Sequence, residues 1–221
     1  MAWLAALHKS VNLSNKGIPL PVLERTRRTR AEQRRQHVKE TARRLFVEHG
    51  FHNTGIALIA RESGVAVQQL YRDFPAKEDI IAAIVEDDCK KFADLATLDK
   101  ALALRSREGV REWLTSATSR EDEEGDRLFL EIAAEAARND RIKQIFLGVR
   151  SMMFDNISRA FAGLTGGGAV TEEHHLLAEA FMMISIGSVF TRIVGADMVG
   201  PASGRLVACL LASVCDDAAS G

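Results

Sequence analysis

Between Thr54 and Lys77 the sequence TGIALIARESGVAVQQLYRDFPAK holds two helix starts and two helix stops. Ile56, Ile59 and Ala60 recur at helical spacing, and the Thr54 hydroxyl is suited to cap the start of that helix. Gly64 follows Ser63 where a helix needs a left-handed terminating residue. A second helix then covers roughly Val67 to Phe74, and Pro75 stops it by disfavouring helical backbone in its predecessor. Two short helices joined by a glycine turn form a helix-turn-helix, and the rest of the chain must pack around it.

In the second helix Leu70 and Phe74 share one face, so Gln68, Gln69 and Arg72 point the opposite way, with Val67 at the first turn and Tyr71 and Asp73 on the flanks. Gln pairs with adenine and Arg with guanine in the major groove, and an apolar group such as Val67 suits a thymine methyl. A merely solvated helix face would carry the same residue types. Context favours a DNA-reading face. An amphipathic helix from about Arg30 to His49 precedes it, with Val38, Ala42, Leu45 and Phe46 on one side and Gly50 at its end. Lys77, Glu78 and Asp79 open a further helix carrying Ile80, Ile81, Ile84 and Val85.

The segment ARRLFVEHGFHNTGIALIARESGVAVQQLYRDFPAKEDI resembles the N-terminal domain of the TetR family of transcriptional regulators. Gly50-Phe51, Ile59-Ala60, Gly64-Val65, Leu70-Tyr71, Phe74 and Lys77 carry the resemblance, which covers about Arg30 to Val85. It implies that Thr54, Tyr71 and Lys77 contact DNA phosphates and that Val67, Gln68, Gln69 and Arg72 face the bases. Ala66 and Ala76 stand where the family often has a capping Ser, and Asp73 where it usually has an aromatic residue or His. An unpaired carboxylate at Asp73 would repel the DNA backbone. Glu78 and Asp79 in the following first turn compensate in part through the helix dipole.

Charge supports this division. Residues 1–80 hold 14 Lys/Arg against 8 Asp/Glu, and residues 81–221 hold 15 against 22, so the basic half contains the head. Ahead of the first helix, RTRRTRAEQRR reads as a basic arm able to hug phosphates or enter a minor groove, with Arg28 and Arg30 as candidate contacts. Residues 1–24 lack a basic start and a long apolar core; they read as a flexible leader rather than a secretory signal. No apolar stretch is expected to reach the roughly 18 residues that span a membrane, and three scattered cysteines without zinc spacing fit a reduced cytoplasm.

The expected architecture is all-α: residues 25–80 form a three-helix head with its basic arm, and 81–221 a helical ligand-binding and dimerisation domain. Helices are expected at Lys77–Ala96, Leu98–Ser119, Glu124–Asn139, Ile142–Leu164, Glu172–Val194 and Pro201–Asp217. The last two are apolar around much of their circumference, which favours burial against a second copy, residues 172–194 and 201–217 forming the contact. The family's dimer interface is of that kind. Two-fold symmetry would then set two reading helices about 34 Å apart on a near-palindromic site.

Trp113, Phe129, Phe146, Met152, Met153, Phe154, Phe181, Met182 and Met183 supply surface that would line a pocket for a partly apolar effector, although such a stripe is commonly plain core. Glu131 with Glu135, and His174 and His175 with Glu179, are insufficient to call a metal site. The three glycines at Gly166–Gly168 lack the Lys and Ser/Thr of a phosphate loop. No catalytic set, metal or cofactor is therefore expected. The reading is a homodimeric, ligand-responsive regulator, first of all a repressor; the alternatives are an activator, a protein-responsive DNA-binding regulator without a small ligand and, from another class, a helical enzyme.

Overall fold

The computed structural model of the chain describes residues 22–118, 122–166, 168–195 and 199–217, which are all-helical. The head comprises α1 (Val22–Asn53), α2 (Ile56–Ser63), α3 (Val67–Asp73) and the start of α4 (Lys77–Ala93). Behind it follow α5 (Leu95–Ala103), α6 (Arg107–Thr118), α7 (Glu123–Ala136), α8 (Asp140–Leu164), α9 (Glu172–Ile193) and α10 (Val199–Asp217).

Four boundaries depart from the sequence expectations, each for a local reason. Helix α1 begins at Val22, so the basic segment is its first turns rather than an extended arm. VLERTRRTRAEQRR contains no Gly or Pro and is rich in strong helix formers, which explains the early start. Of the predicted leader, 1–21 lies outside the described residues. The end of α1 agrees: Gly50 adopts φ 79° and breaks the helix there. Thr54 does not cap α2; Gly55 occupies that position, and the fully buried Thr54 hydroxyl instead lies 2.8 Å from the Gly50 carbonyl and 3.1 Å from that of Leu45.

Further on, α4 stops at Ala93 because Asp94 turns left-handed (φ 33°) and caps α5, its carboxylate accepting from the Thr97 hydroxyl at 2.6 Å. The single helix expected over Leu98–Ser119 is two, divided by Arg105 at φ 51°. Ser106 starts the second, its hydroxyl oxygen accepting the Gly109 N–H at 3.1 Å. Finally, α9 runs 22 residues with an 18-residue stretch of mean hydropathy 1.5, long and apolar enough by length and composition to cross a membrane. In the fold it packs on α8 and α10, and its charges are held by protein: Glu179 by Arg150 at 2.6 Å, Arg192 by Asp126 at 2.7 Å.

Two apolar clusters organise the molecule. One joins Val38, Leu45 and Phe46 of α1, Ile59 of α2, Leu70 of α3, and Ile80, Ile81 and Ile84 of α4. Leu128 and Ile132 of α7, with Ile142 and Ile145 of α8, complete it. The head is thus closed by the domain behind it, and the expected boundary near residue 80 runs through a shared core. The second cluster packs Leu98, Trp113, Leu114, Phe161, Phe181, Val207 and Leu211 from α5, α6, α8, α9 and α10.

Candidate nucleic-acid interface

Helix α3 presents its outer face because its inner face is fixed. Leu70 is fully buried and Phe74 nearly so, anchoring the helix on the head cluster. Gly64 at φ 65° turns the chain between α2 and α3, its N–H directed at the carbonyls of Ala60 and Arg61. Outward stand Val67, Gln68, Tyr71 and Arg72, all exposed, with Tyr71 at 51%. Gln69 is only half-exposed, because its amide donates to Asp73 Oδ1 at 3.2 Å. Three of the four candidate base-reading side chains are therefore free, and the fourth is oriented by its neighbour.

Asp73 resolves differently from the sequence expectation. Its carboxylate accepts from Arg34 Nε at 2.6 Å and Arg34 Nη2 at 3.1 Å, a two-point pair between α1 and the end of α3. Arg35 donates to the Asp73 backbone carbonyl and lays its guanidinium over the Phe74 ring, 4.1 Å from the centroid. Hydrogen bonding from Arg34 holds the Asp73 carboxyl below its usual range. The charge that would have repelled a phosphodiester is neutralised within the protein. The sequence places Arg34 and Arg35 in a DNA arm; the fold turns both onto the end of α3 instead.

The phosphate candidates divide. Tyr71 and Arg30 are exposed, while for Arg28 only the backbone, within α1, lies in the described part. Thr54 is corrected: its hydroxyl is buried on two carbonyls and faces no solvent. The Lys77 ammonium turns back on the end of α1, donating to the Phe51 carbonyl at 2.8 Å and sitting 4.1 Å from the Phe51 ring centroid. The missing side-chain caps at Ala66 and Ala76 are as the sequence reads. At Ala76, Asp79 supplies a substitute by accepting the Ala76 N–H at 2.9 Å.

The head is tied to the domain behind it at three points. Glu131 of α7 accepts the Phe51 N–H at 2.6 Å, beside the Gly50 break, and was not foreseen as a linking residue. Asn139 donates to Glu78 at 3.3 Å, and Arg141 pairs with Asp79.

The residues named for an effector pocket are distributed over both clusters. Trp113 and Phe181 are buried in the second cluster, with Met153, Phe154 and Met182 packed on it, whereas Phe146 packs on the head cluster and faces Phe129 at 5.6 Å. Met152 is half-buried, and none of these residues lines either described cavity. Long apolar side chains at helical spacing satisfy a core as readily as a pocket; Trp113 and Phe181 are core here, whereas Met183 is exposed. Among the described residues no three His, Cys, Asp or Glu side chains converge on a metal position. Glu135 pairs with Arg138 at 3.0 Å, and His174 bridges Thr171 and Thr165.

Residues 40–84 match the family model for bacterial regulatory proteins of the tetR family. HTH-type transcriptional regulators of Staphylococcus aureus, strains USA300 and NCTC 8325, are 36% identical over 62 residues, 28% of this chain. That match spans only 34% of those relatives' length. Among solved structures, a TetR transcription regulator from Haloarcula marismortui superposes with TM-score 0.67 at 14% identity, covering 82% of this chain and 98% of the other. A protein described as a TetR-family regulator from Mesorhizobium loti gives 0.64 at 18%, covering 84% and 96%. Salmonella enterica GusR gives 0.61 at 21%, covering 82% and 93%. At these identities the structural likeness is one of fold, and at 82–84% of the chain it extends well beyond the head. The head of this chain thus matches the tetR family of bacterial regulatory proteins over residues 40–84, and the chain as a whole shares its all-helical fold with solved regulators.

Proposed function

We propose that the protein is a DNA-binding transcriptional regulator that acts as a homodimer and reads a near-palindromic operator, most simply as a repressor released by a small molecule. The observation that carries the reading is α3: an apolar back fixed in the head core, a C-terminal end fastened by Arg34 and Asp73, and a free outer face of Val67, Gln68, Tyr71 and Arg72. Arg72 and Gln68 are the base-reading groups, with Gln69 in support, and Tyr71 and Arg30 approach the phosphates. Thr54 and Lys77 act as internal braces in this account.

Dimerisation rests on α9. Leu176, Met183, Phe190 and Val194 are exposed and recur seven, fourteen and eighteen residues apart, so they form one stripe. His174, Ala178, Phe181 and Ser188, the buried residues, lie on the opposite side. A stripe of this size on a helix already packed behind asks for a second copy. Selection of bound duplexes from a random pool, at two salt concentrations, tests the proposal. An enriched near-palindrome supports it; binding that is salt-sensitive but blind to sequence contradicts it.

A further inference from the structure

The division between α5 and α6 creates a feature that the DNA-reading function does not use. A cavity of about 390 Å³ lies between the α5–α6 turn, the C-terminal part of α8 and the segment leading to α9. Arg105, Arg107 and Arg159 line it together with Leu102, Val110 and Val170, and no acidic side chain does. Arg159 is engaged with Asp99 at 2.6 Å, an exposed pair of the kind a ligand displaces at little cost. Arg105 and Arg107 are exposed, and neither makes an ion pair among the described contacts. Arg105 also holds a left-handed backbone, φ 51°, that a side-chain-bearing residue adopts with strain and glycine without it. That conformation ends α5, with the Ser106 N–H donating to the Ala101 carbonyl at 2.9 Å, and it sets Arg105 at the cavity wall.

From this arrangement we infer that the cavity binds a small organic acid, with the carboxylate held by Arg105 and Arg107 and the apolar body resting on Leu102, Val110 and Val170. Two guanidinium forks match a carboxylate geometrically, and the volume lies in the range of small-molecule sites. A cation has no counterpart there. Because the far wall continues into α9, occupancy bears on the helix with the exposed stripe; that consequence, unlike the binding itself, rests on the reading of the protein as a dimeric ligand-responsive regulator.

The test is calorimetric titration of the full-length protein with octanoate and benzoate, with octylammonium and inorganic phosphate as controls. At least one acid binds at sub-millimolar concentration, octylammonium does not, and the Arg105→Gly/Arg107→Gln variant loses roughly tenfold or more in affinity. Arg105→Gly relieves the left-handed strain, so the variant's melting temperature reports that it still folds. Binding of neither acid, equal binding by the variant, equal binding of octylammonium, or phosphate binding as tightly as the acids (an adventitious ion only) each overturns the inference. The bound acid is then added to a complex with a selected duplex. Release of DNA supports the link to regulation; an acid that binds without altering DNA affinity leaves the site standing and overturns that link alone.

Discussion

Asp73 sets a carboxylate at the end of the helix that faces DNA in the proposed function, and Arg34 is what makes that charge tolerable. Charge-assisted hydrogen bonds of this kind contribute about 1.5–3 kcal/mol when partly shielded, and the Asp73 side chain is only 10% exposed. Because Arg34 depresses the Asp73 pKa in the folded head, the pair's contribution is fully present above the usual carboxylate range. It is lost as the pH falls through the depressed value. Asp73→Asn is therefore expected to destabilise the protein at neutral pH by about 1–2 kcal/mol and to flatten the loss of stability between pH 5 and 3, roughly the span over which such carboxylates protonate. Urea unfolding of both proteins across that range checks this; parallel pH profiles would show that the pair contributes nothing. Nothing in the spacing of the sequence links residues 34 and 73, since a contact between helices so far apart in the chain becomes visible only once the fold brings them together.

At the scale of elements, the short helices around the turn were legible because their signals are local: Gly64 and Pro75 punctuate, and Leu70 and Phe74 set the inner face. The missed breaks at Asp94 and Arg105 lack glycine and proline altogether, and only the weaker capping signals of Asp94 and Ser106 marked them. The apolar character of α9 was legible, but which residues face the core and which face outward required the packing of α8 and α10 on one side. Phe190→Lys, placed in the exposed stripe, is expected to convert a dimer to a monomer in sedimentation experiments while leaving the fold intact by circular dichroism; a dimer that persists would move the interface elsewhere. Cys209, exposed on α10, should be alkylated more slowly in the native dimer than in that variant. Burial pushes the Cys89 thiol up to about 12, so it stays unreactive in both and serves as the internal reference.

At the scale of the molecule, head and following domain share one apolar cluster and are cross-linked by Glu131 to Phe51, Asn139 to Glu78, and Arg141 to Asp79. Any displacement of α7 or α8 would thereby be passed to the end of α1 and the start of α4, which together seat α3. The sequence concealed this coupling because nothing local to Leu128, Ile132, Ile142 and Ile145 marks them as partners of the head. Hydrogen exchange resolved by segment is expected to show residues 38–84 and 128–145 opening as one cooperative unit. A head that opens well before α7 and α8 would contradict the coupling.

If the free face of α3 reads base sequence, Arg72 is the side chain whose loss shows it. Affinities of the native protein and Arg72→Ala would be measured by fluorescence anisotropy for the selected duplex and its single-base variants at fixed salt. The account predicts a loss of about 1–3 kcal/mol on the selected duplex and relaxed discrimination at one base pair in each half-site, whereas Tyr71→Phe weakens every duplex alike. Equal loss on all duplexes for Arg72→Ala would show that this face holds the backbone without reading the sequence.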